Sequence, residues 1–470
     1  MLSRFGSVRH PFRALRIDSS SGEWHSGCRE SGEGLIAMLE LVLLVLADGP
    51  MRWTASPVQS PVDHTAWVAA VRADGAAIGH MTDESTGHES LVRWQNGQPV
   101  FEVSSFTHAM SGCFDEADQC FGRADMGNYV MVFRVDGDGD ITGTWPISIS
   151  PGLSGLVGAI GGEAIYRGVL QSGSSDWTTW ICRNDGTVEV IDNGGASLFG
   201  AHVGHLSDGT RVLLGQYKVG TTWNVFLRSL DDDGAFQNVN DELKIPAGMA
   251  GPLGISSQGD VLLQRRDASY SWWPLIWRPD TGEVSEGPAV TVGGYIDAGD
   301  AGSGAVVASG TQDGQPAIWR WRPGLEAEVL TLDASETLAL TSVNIAGDGT
   351  VLAGVLQFEP VYEQTMIAWP AGEGTPVPIR ERVIGSIAGG AIGLTAWHAS
   401  GACALSTAGG AVQMRALSSG DVDGDGHVGI NDLLALLDAW GPWDGPCGPD
   451  LDFNGSVDVD DALQVLAGWK

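Results

Sequence analysis

The sequence predicts a mainly β fold: a seven- or eight-bladed β-propeller followed by a small all-α module. Three observations predict it. Short apolar runs broken by Gly, Asp and Pro recur along the 470 residues, while few stretches show the 3.6-residue period of a helix. One pattern then repeats at intervals in the mid-forties between Val62 and Ser418. After Ser418 the texture changes to acid-rich loops, each followed by an apolar helical stretch.

Each repeat begins with a Gly-rich strand and a "DG" turn, followed by a small-apolar strand and a polar loop. A strand ending in an aromatic residue and a second Gly-containing turn complete it. Clear copies start at Arg72, Leu206, Ala301 and Ala346, and the last, from Gly385 to Leu417, is degenerate. Taking Trp94, Phe133, Trp180, Phe226, Trp277, Trp321, Trp369 and Met414 as markers, the intervals run from 39 to 51 residues. One small sheet cannot cover both its faces, so neighbouring copies must, with the marker packed between them. Eight copies predict eight blades, or seven if the degenerate copy is not one. A stacked β-solenoid is the lesser alternative. The loose form "DG…VVG…A-x-x-W" resembles the propeller-like repeats of secreted bacterial proteins, without the signature of WD repeats or the Asp box of sialidase-type propellers.

The composition fits a folded, soluble chain. The hydrophobic fraction is 43%, Gly numbers 67, and the 18 Trp outnumber the 12 Phe and 6 Tyr. The net charge of −33 divides into zero for residues 1–47, −23 for 48–417 and −10 for 418–470. This balance gives no support to nucleic-acid or anionic-membrane binding. The density of acid in the last segment points to a cation. Six cysteines show no CxxC spacing, so no zinc site is expected. Cys113 and Cys120 bracket a polar stretch and read equally as a local disulfide or as two free thiols.

Leu35 to Ala47 is a 13-residue apolar run, too short to span a bilayer but suited to a signal-peptide core. It ends Val45-Leu46-Ala47, with Arg4, Arg9, Arg13 and Arg16 upstream, although Glu40 interrupts it. The chain therefore divides into a leader (1–47), a linker (48–61), the repeat domain (62–417) and the acidic module (418–470), and export is expected.

Catalytic signatures do not emerge. There is no GxSxG elbow, HExxH helix or Walker loop. His202 and His205 lie three apart, which on a strand places them on opposite faces. Asp136-Gly-Asp138-Gly-Asp140 begins like a calcium loop but has Ile141 where Gly is needed, so a hairpin turn is expected. Trp272, Trp273, Trp319 and Trp321 offer a surface for sugar rings, although most repeat-phase Trp residues should pack between blades.

The tail carries the sharpest signal. Asp421, Asp423, Asp425 and Asp432 occupy positions 1, 3, 5 and 12 of a 12-residue loop, with Gly426 at position 6 and His427 supplying a backbone carbonyl at position 7. Twenty-nine residues later Asp450, Asp452, Asn454, Ser456 and Asp461 fill positions 1, 3, 5, 7 and 12, with Gly455 at position 6. Val428 is expected to pair with its counterpart between the loops. Matched apolar positions follow: Leu433, Leu434, Leu436, Leu437 and Trp440, then Ala462, Leu463, Val465, Leu466 and Trp469.

This double loop–helix arrangement resembles the type I dockerin family. The resemblance implies two bound calcium ions and docking onto a cohesin-like or cell-surface protein. That family often carries Ser-Thr at loop positions 10 and 11, where this chain has Ile430-Asn431 and Val459-Asp460. A standard cohesin is therefore not the expected partner. Chelation is expected to unfold residues 418–470 while the propeller persists. Two functions follow: a secreted protein whose propeller binds a glycan or protein without catalysis, or a polysaccharide-degrading enzyme carried by a dockerin.

Overall fold

The computed structural model describes residues 51–469, except 107, 149–153, 170–175, 192–196, 232–235, 269–270, 290–304, 313–314, 333–337, 358–362, 372–373, 385–386, 388–390, 399, 408–409 and 446. The expected leader (residues 1–47) and Cys28 lie outside these residues. Each repeat folds into a small antiparallel sheet because its turns close locally. In the turn at Asp208-Gly209, the Asp208 carboxylate accepts the Thr210 amide at 2.9 Å and Gly209 takes φ 86°. The same turn recurs at Asp348-Gly349.

Eight sheets result, at residues 64–103, 109–147, 154–191, 198–238, 250–286, 306–331, 338–378 and 391–416. The protein is mainly β and forms an eight-bladed propeller, a closed ring rather than a stacked solenoid. Among the described residues, the first strands of neighbouring blades pack side by side around the axis in every blade but the sixth. In seven blades, among the described residues, this first strand carries a β-bulge at the same place, for example between Val68 and Ala70 and between Gly200 and His202. A bulge bends and twists the strand locally.

Seven of the eight marker residues sit on the third strand of their blade and Trp321 on the second described strand of the sixth, and all are at most 5% exposed. Each belongs to a separate apolar cluster that joins its blade to the preceding one. Trp94, for instance, packs with Ala396, Ala402 and Ala404 of the eighth blade. Burial of one such side chain contributes roughly 1.5–3 kcal/mol.

The eighth blade corrects the expected linker. Trp53–Pro57, inside residues 48–61, pairs antiparallel with Gly410–Ala416 as an outer strand, Trp53 opposite Ala416 and Pro57 opposite Val412. The short strand Val383–Ile384 lies parallel to its outer edge. Trp53 is fully buried, and its indole Nε1 donates to Gly401 O at 2.8 Å. The N-terminal strand thus closes the ring from outside the expected domain.

The cysteines show no disulfide among the described residues, and Cys113 and Cys120 are free. Register explains this. Cys113 stands opposite Phe121 and Cys120 opposite Phe114, so the two thiols point to opposite faces of one sheet. A single helical turn, α1 (Val239–Glu242), follows the outer strand of the fourth blade. The tail holds α2 (Ile430–Asp438) and α3 (Val459–Gly468). It is not purely helical: Gly441–Pro442 pairs with Ser456–Val457, so Val457 is bridged to Gly441 and not to Val428. No helix among the described residues is long and apolar enough to cross a membrane.

Candidate metal centre

Each tail loop must turn sharply so that carboxylates spaced two residues apart can converge. Gly426 and Gly455, at position 6, take φ 97° and 88°, a conformation that favours glycine. The carboxylate at position 1 then accepts the amide at position 6: Gly426 N to Asp421 at 3.0 Å and Gly455 N to Asp450 at 2.9 Å. The carboxylate at position 12 reaches back to position 2, with Val422 N to Asp432 and Leu451 N to Asp461 both at 2.6 Å. Its second oxygen accepts from the residue before the helix, Gly429 N or Asp458 N, each at 2.8 Å. That contact satisfies an open amide at the start of α2 or α3. The two loops therefore share one hydrogen-bond plan.

The convergence is selective. Carboxylate oxygens of Asp421, Asp423 and Asp432 lie within 4.8 Å of one another, as do those of Asp450, Asp452 and Asp461. Asp425, at position 5, stands outside the first group, and Asp425 and Asn454 accept the amides of His427 (2.7 Å) and Ser456 (2.9 Å). His427 and Ser456, at position 7, enter this plan through their amides.

Electrostatics favours a cation here. Asp421, Asp432, Asp450 and Asp461 are no more than 5% exposed. Burial pushes the carboxyls of Asp421, Asp450 and Asp461 above the usual range, and neighbouring carboxylates add to the effect. Converging buried acids are costly unless a positive charge neutralises them. The side-chain donors are all oxygen, which suits a hard divalent cation such as calcium or magnesium. These residues fit such an ion.

The helices bury only part of their apolar sequence. Leu436 and Val465 are fully buried with Val422, Leu451 and Val457. Ile430, Leu434, Leu437 and Trp440 of the first unit and Val459, Leu466 and Trp469 of the second are exposed. Three exposed positions match across the repeat, Ile430 with Val459, Leu437 with Leu466 and Trp440 with Trp469, whereas the counterpart of Leu434, Leu463, is half-buried.

The loop side of the module is not free. Arg52, next to the closing strand and 3% exposed, donates to Asp421 O at 2.9 Å and to Gly448 O at 3.0 Å. Arg415, on the strand beside it, donates to Gly424 O at 2.8 Å. The Arg382 guanidinium lies 3.5 Å from the centre of the Phe453 ring. A cleft of roughly 570 Å³ between module and propeller is lined by Val377, Glu381, Arg382, Trp443, Asp450 and Phe453. It gives the second loop a path to solvent. Sequence reasoning missed all three arginines. Nothing local distinguished them from the arginines of the surface.

The other candidates fall as follows. His202 and His205 do not form a pair: His205 Nδ1 contacts Gly209 O at 3.1 Å, while burial lowers the His202 pKa to about 4. Asp136 to Asp140 is a hairpin turn, with Asp136 accepting the amides of Asp138 and Asp140. Trp321 is core, Trp272 and Trp319 pack against the same cluster, and Arg265 covers Trp273 at 4.5 Å. Those four indoles do not form an open stacking platform.

No family model matches this chain, and no curated protein sequence matches it. Among solved structures it is similar to a puromycin hydrolase, with TM-score 0.40 and 13% identity, covering 73% of this chain and 56% of that one. It is also similar to Porphyromonas gingivalis dipeptidyl peptidase 4, with TM-score 0.47 and 12% identity, covering 67% and 52%. A streptogramin B lyase gives TM-score 0.36 and 15% identity, covering 64% and 94%. The chain spans about half the length of the first two.

Proposed function

We propose that the chain is a secreted protein whose residues 418–470 fold around two calcium ions as a dockerin-like docking module, joined to a propeller that binds a ligand without catalysis. One observation carries the calcium reading: two loops 29 residues apart bring three carboxylates each within 4.8 Å, on the same hydrogen-bond plan. Calcium, which takes six to eight oxygens in a flexible shell, suits carboxylates combined with backbone carbonyls better than magnesium does. The exposed apolar residues of α2 and α3, with Trp440 and Trp469 beyond them, support docking of a protein with an apolar face. Export rests on the apolar run Leu35 to Ala47.

Calorimetric titration of the full chain tests the reading. Two calcium ions should bind, and D432N and D461N should each remove one. A titration without heat, or one left unchanged by both substitutions, would defeat it. Incubation with a glycan panel tests the propeller's role: release of reducing ends would overturn the non-catalytic reading.

A further inference from the structure

We propose that calcium binding to the tail clamps the propeller ring shut. The clamp runs from the two loops through Arg52, Arg415 and Arg382 to the seam of the eighth blade. This rests on the calcium reading above and adds a function internal to the chain.

The ring is closed by a five-residue strand, Trp53–Pro57, laid on Gly410–Ala416. A short strand near a sheet edge is a place where local opening begins. Three neighbouring chain segments meet there, and each supplies one of the arginines. Arg52 immediately precedes the closing strand, and Arg415 stands opposite Thr54. Arg382 immediately precedes Val383–Ile384, which lies parallel to the closing strand.

All three reach the loops or their approach. Arg415 and Arg382 meet position 4 of the two loops, Gly424 through its carbonyl and Phe453 through its ring. Arg52 forks between the carbonyl of Asp421, position 1 of the first loop, and that of Gly448, two residues before the second. One guanidinium thus ties both loops to the closing strand. A lysine has no such fixed fork. The contact is close: a Cβ on Gly426 would fall 2.1 Å from Arg415 Nη1.

Two of these carbonyls belong to the first loop, and Gly448 O lies just ahead of the second. They face the arginines only while the loops are wrapped. Without a cation, the buried acids at positions 1 and 12 repel each other and favour opening of the loops, which carries the carbonyls away from the seam. By linkage, whatever calcium adds to the seam the closed seam returns as calcium affinity.

Hydrogen exchange on the full chain tests the clamp, with calcium binding measured in parallel. Amides of residues 53–56 and 410–416 should exchange about tenfold slower at saturating calcium than in EDTA. Residues 177–182, in the third blade, should not change and serve as the reference. In R52Q the calcium effect on the seam should shrink to less than about threefold, with both ions still bound at affinity reduced by a matching factor. R415Q carries the same test should R52Q fail to fold. Two ions bound with seam exchange unchanged would overturn the clamp alone. Absence of calcium binding would overturn the underlying reading and the clamp together.

Discussion

Phe453 is the sharpest test of how the module is seated. It has φ 57°, in the left-handed region, where its counterpart in the first loop is Gly424 at φ 77°. A side chain in that conformation costs about 1–2 kcal/mol. The ring lies 3.5 Å from the guanidinium of Arg382, which is 4% exposed, and a cation–π contact to a desolvated arginine contributes about 2 kcal/mol. The two effects nearly cancel, and substitution separates them. Phe453→Ala loses the contact and keeps the strain. Phe453→Gly loses the contact but relieves the strain, apart from roughly 0.4–1 kcal/mol of added unfolded-state entropy.

Phe453→Ala is therefore expected to weaken the module by about 2 kcal/mol, and Phe453→Gly by roughly 0.4–2 kcal/mol, centred on about 1.2, relative to the native residue. Native-state hydrogen exchange of α3 reads both, since 1.4 kcal/mol is a tenfold change in protection. The measurement should be made in EDTA and again at saturating calcium, to separate seating from metal binding. If the alanine variant is as stable as the glycine variant, residue 453 is not held left-handed. If neither differs from the native chain, the ring does not seat on Arg382.

Two further outcomes follow from the propeller. Trp53→Ala should cost about 3–5 kcal/mol, because a fully buried Trp and its bond to Gly401 O are lost at the ring's closure, and thermal unfolding would show it. His202 should make the propeller acid-sensitive. Its folded pKa of about 4 lies below the unfolded value near 6.5, chiefly through burial and then through Arg167, so the unfolded chain takes up the proton first. Stability is then full above about pH 6.5 and falls toward pH 4, by up to about 3 kcal/mol, and His202→Gln should flatten that part of the urea-midpoint profile against pH.

The repeat was legible because its cause is local. A marker on the third strand has to cover the preceding blade, so the same spacing returns and even Met414 can be placed. The blade number stayed open between seven and eight because the eighth sheet borrows Trp53–Pro57 from the other end of the chain. Five residues ending in Pro, flanked by Pro, Ser and Gly, read locally as a linker, and only a pairing about 360 residues away makes them a strand.

In the tail, spacing alone located the carboxylates, because a 12-residue loop permits few arrangements. Spacing did not show that Asp425 stands apart from the converging group. Nor did it show which apolar residues of α2 and α3 are buried: Leu436 and Leu437 are adjacent in sequence and face opposite environments. The seating on the propeller was beyond local reading, since Arg52, Arg382 and Arg415 are brought together only by the closed ring.

The closing strand also sets a timetable for biosynthesis. Trp53–Pro57 leaves the ribosome early, but the strand it must join follows about 360 residues later. At ~5–20 residues per second, roughly 20 to 70 s of translation separate them. Through that interval the nascent chain carries an unpaired strand at one end and an incomplete final blade at the other. Both are open to the wrong neighbour, whether a second nascent chain or a chaperone.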